Sequence, residues 1–236
     1  MHPIDKAART AGAIYVSMLF VGPFSLIYVP TKLIVRGNAT ATAANILAHE
    51  MLFRFGIVAD LIGSVIFIYL AMALYRLFRG VNATRASQLV GLVLVSAAVG
   101  FMNALNNIAA LTLFKGADFL AALPKSQRDV LGMFFIRLCR EGITINELFW
   151  GLWLFPFGLL VIESRFFPRI LGWLLIVNGF AYVVISITTL LMPSYASIVS
   201  RIWFPAQFGE LVMMLWLLIK GARVVEPLNS PAPQFT

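Results

Sequence analysis

The sequence predicts an all-α membrane protein, a polytopic bundle of six transmembrane helices with its N and C termini in the cytoplasm. Hydrophobic residues make up 61% of the chain and charged residues only 12%, about half the charged fraction of a soluble domain. Its apolar runs approach or exceed the roughly 20 residues that cross a bilayer. We therefore expect a cytoplasmic leader at 1–10, a single transmembrane domain at 11–221, and a disordered, proline-containing cytoplasmic tail at 222–236.

Charges, prolines and helix-capping residues delimit each predicted span. Pro23 lies within the first span and predicts a kink there. Thr40 or Thr42 is a suitable N-cap for the second span, and Ser126 to Asp129 has the pattern of a capping box for the fourth. The expected spans are 11–29, 43–74, 87–114, 126–162, 170–191 and 202–219, with a loop at 192–200.

Two Asn-x-Thr triplets, beginning at Asn38 and Asn82, match the pattern for N-glycosylation. Each also stands just before a predicted helix, where an asparagine side chain can accept a hydrogen bond from a free backbone N–H. We interpret both triplets as helix-capping loop segments.

Basic residues at the ends of the spans predict the orientation of the chain, because short cytoplasmic loops are rich in Lys and Arg. One side has Lys6, Arg9, Arg76, Arg79, Arg85, Arg165, Arg169, Lys220 and Arg223, and the other has Lys32, Arg36, Lys115, Lys125 and Arg128. Both termini are therefore expected in the cytoplasm. The net charge of +8 comes from these scattered residues, so the expected partner is the lipid bilayer and not a nucleic acid.

The segment 137–147 introduces ionisable groups into the fourth span. At 100° per residue, its polar side chains fall on one broad helix face, while Asn146 points the other way. The residues of this face are Arg137, Arg140, Glu141, Thr144 and Glu147. An ionised group near the bilayer centre costs roughly 2.5–3.5 kcal/mol on insertion scales. The face is therefore either a buried polar site or an ion-pair cluster that anchors the helix at the membrane surface.

The predicted orientation brings polar residues of four helices to one level of the bilayer. The candidate ligand- or proton-binding residues are Asp60, Asn103, Asn107, Glu147 and Glu210, with Asn106 at the same level. The candidate residues at the mouth above them are Glu50, Arg54, Arg137, Arg140 and Glu141. We infer a polar chamber that opens to the extracytoplasmic side. The alternative is a hydrogen-bonded bundle core without a ligand.

The sequence contains no nucleotide-binding, zinc-protease or serine-hydrolase motif, and no cofactor is expected. His49, next to Glu50, could bind a metal with Asp60 and Glu147, but one imidazole with scattered carboxylates is a weak metal site. The single cysteine, Cys139, excludes an intrachain disulfide.

Residues 23–29 in the first span, PFSLIYV, are similar to residues 156–162 in the fourth, PFGLLVI. The match suggests two three-helix halves of opposite topology, as in some transporters. Because seven apolar positions can also match by chance, the repeat stays an open alternative.

Several stretches together resemble the family known as domain of unknown function 4386, multi-pass membrane proteins found mainly in bacteria. They are GPFSLIYVP (22–30), AANILA (43–48), FRFGIVADLIG (53–63), FWGLWLFPFG (149–158), PRILG (168–172) and GE (209–210). The resemblance implies a bundle of about six or seven helices in the cytoplasmic membrane of a bacterium, and it implies no reaction. Arg54, Asp60 and Glu210 lie within the resembling stretches, and His49 lies outside them.

Three functions fit this sequence. The first is binding or transport of a small or amphiphilic ligand in the outward-facing chamber, with Asp60, Glu147 or Glu210 exchanging a proton. The second is an intramembrane enzyme that uses Glu147 or Glu210 as a general base. The third is a structural or regulatory membrane subunit whose polar face only joins helices. The oligomeric state is left open.

Overall fold

A computed structural model describes residues 2–223, which form helices joined by short loops. The protein is an all-α membrane protein, as predicted, with six helical segments long and apolar enough to span a bilayer. The spans are Pro3–Leu33, Glu50–Phe78, Ala83–Lys115, Lys125–Ser164, Arg169–Leu191 and Ala196–Ile219. The residues predicted as a leader form the first turns of span 1, and the predicted tail lies outside the described residues from 224 onwards.

Interruptions divide three of these spans into shorter helices. Span 1 comprises α1 (Pro3–Pro23), a π turn (Phe24–Tyr28) and α2 (Val29–Leu33). The short helix α3 (Ala39–Ala48) precedes span 2, which is α4 (Glu50–Phe78), and span 3 is α5 (Ala83–Lys115). After a 3-10 turn (Asp118–Leu120), span 4 comprises α6 (Lys125–Leu152) and α7 (Leu154–Ser164). Span 5 is α8 (Arg169–Leu191), and span 6 comprises α9 (Ala196–Trp203), a 3-10 turn (Phe204–Gln207) and α10 (Phe208–Ile219).

A proline stands at each interruption within a span. After Pro23, where the sequence predicts a kink, the N–H of Val29 bonds to the carbonyl of Phe24, five residues earlier. Pro156 has no N–H for the carbonyl four residues before it, and the fourth span, expected as one helix, breaks at Trp153. Pro205 lies in the 3-10 turn of span 6.

Two predicted boundaries are wrong. The second span is expected to continue from residue 43, but His49 has a non-helical backbone (φ −126°, ψ 43°) that separates α3 from α4. The His49 ring lies 3.1 Å from the carbonyl of Asn45, so it covers a carbonyl at the helix end. Residues 192–200 are expected to form a loop, whereas α9 already begins at Ala196.

Asn38 and Asn82 are N-caps, which confirms the capping interpretation of both triplets. Asn38 Oδ1 accepts from the N–H of Ala41 at 2.9 Å, and Asn82 Oδ1 accepts from the N–H of Arg85 at 3.1 Å. Each bond satisfies a backbone donor that the first helical turn leaves free.

The other two capping predictions are wrong. Neither Thr40 nor Thr42 is the N-cap of the helix that follows the first loop; instead the buried Thr42 hydroxyl accepts from the N–H of Val35 at 3.0 Å. The N-cap of α6 is Pro124, so the segment from Ser126 to Asp129 forms no capping box. Asp129 pairs with Lys125 at 2.7 Å, one turn earlier.

The six spans pack as a closed ring in chain order. Span 1 contacts span 2 through α1 and α4, and the series continues through α4 with α5, α5 with α6, and α6 and α7 with α8. Span 6 closes the ring, because α10 packs against both α8 and α1. Sequential neighbours are therefore spatial neighbours, as short connections favour.

Two apolar clusters fill the ends of the ring. The larger cluster contains Tyr15, Leu74, Leu89 and Trp153 and lies at the end where the described chain starts and finishes. The smaller cluster contains Leu33, Ile46, Ile57 and Phe114 and lies at the opposite end. On spans 2 to 4, the segment between the clusters contains Asp60, Ser64, Ser96, Asn103 and Asn146.

Candidate functional site

A cavity lined by both apolar and polar side chains lies between the two apolar clusters. Its volume is about 120 Å³, enough for several water molecules but below the roughly 300–1,000 Å³ of sites for drug-sized ligands. Spans 1 to 4 all contribute to its wall. The polar lining residues are Ser25, Asp60, Ser64, Ser96, Asn103 and Asn146, and glycines 22, 63 and 100 also line it.

Asp60 is the one carboxyl group among the described residues that line the cavity. Ser25, which the π turn after Pro23 directs inwards, lies beside this carboxyl group, and the Ser64 hydroxyl donates to the Asp60 backbone carbonyl at 3.1 Å. Between residues 2 and 223, no Lys, Arg or His nitrogen lies within 4.0 Å of the Asp60 carboxylate. Asp60 is therefore a partly buried acid without a cationic partner.

Hydrogen bonds between α5 and α6 hold two amide side chains at the cavity wall. The Ser96 hydroxyl donates to Asn146 Oδ1 at 2.8 Å, and both residues are buried. Asn103 Nδ2 donates to the carbonyl of Cys139 at 2.8 Å, while Asn103 Oδ1 accepts from Asn106 at 3.1 Å. These contacts fix the directions in which both amides face.

A second polar cluster joins α1, α8 and α10. The Tyr15 hydroxyl donates to Glu210 Oε1, and Asn178 Nδ2 lies 3.4 Å from Glu210 Oε2. Tyr15 and Asn178 are completely buried, whereas Glu210 is partly buried. Trp153 packs edge-on against the Tyr15 ring, with centroids 5.9 Å apart. The Glu210 carboxylate is therefore held by side chains of two other spans.

Glu147 lies on α6 and does not line the cavity. It is close enough to Arg140 and Tyr182 for electrostatic interaction, and Tyr182 is also close to Glu210. The ring of Tyr182 meets Trp150 edge-on, with centroids 6.2 Å apart, and Trp150 lines the cavity. The two aromatic side chains thus stand between the cavity and the second cluster.

Residues 10–221 match the family model described as a domain of unknown function, DUF4386. The chain belongs to the DUF4386 family. A protein of Archaeoglobus fulgidus, described as uncharacterized, is 30% identical to this DUF4386 protein over 89 residues. The match covers 38% of this chain and 52% of the archaeal protein, so the chain spans about half the length of that relative. No solved structure matches this chain.

The residues predicted at a chamber mouth of this DUF4386 protein lie in two separate places. At the start of α4, the Glu50 carboxylate pairs with Arg54 at 2.8 Å and with Lys115, from the end of α5, at 3.0 Å. On α6, Arg137 lies 3.8 Å from Glu141 with most of its side chain exposed. Arg140 is exposed one turn before Thr144. The first group joins two spans, and the second lies along one helix face.

Two further predicted site residues lie away from the cavity lining. Asn107 lies beside the Cys139 side chain and not on the cavity wall. His49 is exposed at the break between α3 and α4. Throughout residues 2–223, no three His, Cys, Asp or Glu side chains are grouped so that they could hold a metal ion.

Of the eight polar residues that line the cavity or hold Glu210, the sequence identifies only Asp60 and Asn103 as site residues. Asn146 is predicted to face away from the polar stripe of α6, and it does; the cavity lies on that other face. Ser96 is noticeable in the sequence only as a small residue that permits close helix packing. Tyr15 is one of several hydroxyl-bearing residues in the first apolar run, and nothing near it in the sequence indicates that Glu210, 195 positions later, is its partner.

Proposed function

We propose that this DUF4386 protein binds a small polar solute in the cavity around Asp60 and exchanges a proton for it at the Asp60 carboxyl group. The observation that supports this proposal most directly is a carboxyl group without a cationic partner, in a cavity lined by four membrane spans. A mainly apolar cavity with a few polar groups directed into it is the usual form of a small-molecule site, and the small volume of this one restricts it to small solutes. We also propose that the solute enters the cavity through an outward-facing opening and moves across the membrane.

The charge of the Asp60 carboxyl group determines which solutes can bind. An ionised carboxylate within the membrane is unfavourable unless it is paired. Asp60 can satisfy this requirement by holding a proton or by binding a cationic group, and the two compete for the same oxygens. A solute with a positively charged or hydrogen-bond-donating group therefore displaces a proton when it binds.

The volume of the cavity restricts the range of possible solutes further. A cavity of about 120 Å³ admits an inorganic cation or a small amine but not a nucleotide or a sugar. The hydroxyl groups of Ser25 and Ser64 and the amide of Asn146 supply neutral polar contacts around Asp60. We therefore expect selectivity for small cations over larger ones.

The experiment measures thermal unfolding of purified protein in detergent at pH 8 with sodium, ammonium, methylammonium or tetraethylammonium chloride. A small cation should stabilise the wild type, whereas tetraethylammonium should not. Asp60→Asn should remove the effect, and Asp118→Asn, in an exposed loop, should preserve it. In weakly buffered solution, binding should release a proton from the wild type and none from Asp60→Asn.

A second pair of variants tests the cavity without changing charge. A Cβ atom at Gly22 meets nothing within 4 Å, and Gly22 lines the cavity. Gly22→Leu should fill the space and abolish stabilisation by cations. Gly91 has equally open surroundings but is exposed and away from the cavity, so Gly91→Leu should bind normally. If Gly22→Leu and Asp60→Asn respond to cations like the wild type, the cavity is not the binding site.

A structural role for the polar groups is the second candidate function, and Glu210 favours it. The contacts of Glu210 with Tyr15 and Asn178 join three helices without any ligand. If this role describes the whole protein, Asp60→Asn should change the unfolding temperature. Neither the variant nor the wild type should then respond to any of the solutes.

A further inference from the structure

A groove lies between the end of α4 and the start of α5, outside the ring of spans. Its volume is about 380 Å³, roughly three times that of the Asp60 cavity. Its lining residues are Met72, Tyr75, Arg76, Arg79, Ser87 and Val90. The groove shares no residue with the cavity, so it is a separate feature of the molecule.

Polarity changes along the groove in the same direction on both walls. On α4, Arg76 and Arg79 lie near the helix end and Met72 lies deeper, and a separation of seven residues corresponds to about 10 Å along the axis. On α5, Ser87 lies near the start and Val90 one turn deeper. A phospholipid has the same gradient, with a charged head group at the membrane surface and acyl chains below it.

The positive charge of the groove has no acidic partner among the described residues. Arg76 and Arg79 are exposed, and no Asp or Glu oxygen in the described part of the chain lies within 4.0 Å of either guanidinium. The neighbouring Arg85 is different, because it pairs with Glu163. Two guanidinium groups with a serine and a tyrosine hydroxyl suit a phosphate diester.

We propose that this groove binds the head group of one anionic phospholipid, with the phosphate against Arg76 and Arg79 and an acyl chain against Met72 and Val90. Basic pockets between membrane helices bind anionic head groups in this way. The proposal is independent of the function of the cavity, because it rests on different residues.

The test is native mass spectrometry of the purified protein titrated with dioleoyl phosphatidylglycerol or dioleoyl phosphatidylcholine. The wild type should bind the anionic lipid more tightly than the zwitterionic one. Because each basic residue near a membrane surface contributes roughly five-fold, Arg76→Gln/Arg79→Gln should weaken binding about 25-fold. Lys32→Gln/Arg36→Gln removes the same charge from two exposed residues outside the groove, and it should bind like the wild type.

Val90→Trp fills the groove at constant charge and should weaken binding as much as the arginine variant does. Equal loss in the two charge variants would show general electrostatic attraction and overturn the proposal, as would full affinity in Val90→Trp. Displacement of the lipid by millimolar inorganic phosphate would show a site for a free anion and would also overturn it.

Discussion

Gly158 on α7 and Gly172 on α8 face each other at a backbone-to-backbone crossing. A Cβ atom at Gly158 would lie 2.6 Å from the Gly172 carbonyl oxygen, and one at Gly172 would lie 2.5 Å from the Gly158 carbonyl oxygen. Gly151, at the end of α6, and Gly179, on α8, repeat the arrangement seven residues along the chain from Gly158 and Gly172, with a Gly151 Cβ 2.6 Å from the Gly179 oxygen. Small residues are what allow membrane helices to approach this closely.

Gly158→Ala should therefore push α7 and α8 apart. A methyl carbon needs more than 3 Å from a backbone oxygen, so the helices must separate by about half an ångström or more. Overpacking of this size costs roughly 1–3 kcal/mol, and the better helix propensity of alanine offsets about 1 kcal/mol. We expect a net loss of up to about 2 kcal/mol in the free energy of unfolding.

The assay is reversible unfolding in mixed detergent micelles with increasing SDS. Gly91→Ala is the matched control, because a Cβ atom at Gly91 meets nothing within 4 Å; it should be neutral or stabilising by up to about 1 kcal/mol. Gly158→Ala/Gly172→Ala should cost less than the sum of the two single variants, since the first methyl group already separates the helices. Equal stability of Gly158→Ala and Gly91→Ala would refute the close crossing.

Three further variants test individual contacts by the same unfolding assay. Tyr15→Phe should destabilise the protein by about 1–3 kcal/mol because Glu210 loses its hydroxyl donor. The loss of stability should be smaller in a Glu210→Gln background, and an unchanged loss there would show that the two residues do not interact. Asn82→Ala should cost about 1 kcal/mol and Asn82→Gly only a few tenths, since glycine is a tolerable N-cap; equal costs would argue against the cap. Gly116 ends α5 with φ 71°, so Gly116→Ala should destabilise by about 1 kcal/mol or more, whereas a neutral result would mean that residue 116 does not adopt this conformation.

Local patterns in the sequence predict most of the fold because they act within one helix. Each of the six apolar runs is continuous in the sequence, and each asparagine N-cap bonds to a backbone N–H three residues later. Apolar spacing predicts neither the break at His49 nor the break at Trp153, because it continues through both, although Pro156 is a local signal for the second break. The ring of helices supplies the packing that stabilises such breaks, and that packing is absent from any single window of sequence.

The candidate site is partly predictable for the same reason. Asp60 and Asn103 are conspicuous as polar residues inside apolar runs, and the structure places both on one cavity. The sequence also groups Glu210 with them, but the structure places Glu210 against Tyr15 and Asn178. Equal depth in the membrane does not specify which helix faces which.

Composition and the spacing of charges are enough to establish a six-span membrane bundle, because the bilayer requires long apolar helices whatever their neighbours are. The distribution of polar groups between a cavity and a separate cluster depends on contacts such as Tyr15 with Glu210, which lie far apart in the chain. Such contacts follow from how closely glycine-rich helix faces approach and how each helix is rotated about its axis. Those quantities are set jointly by all six spans.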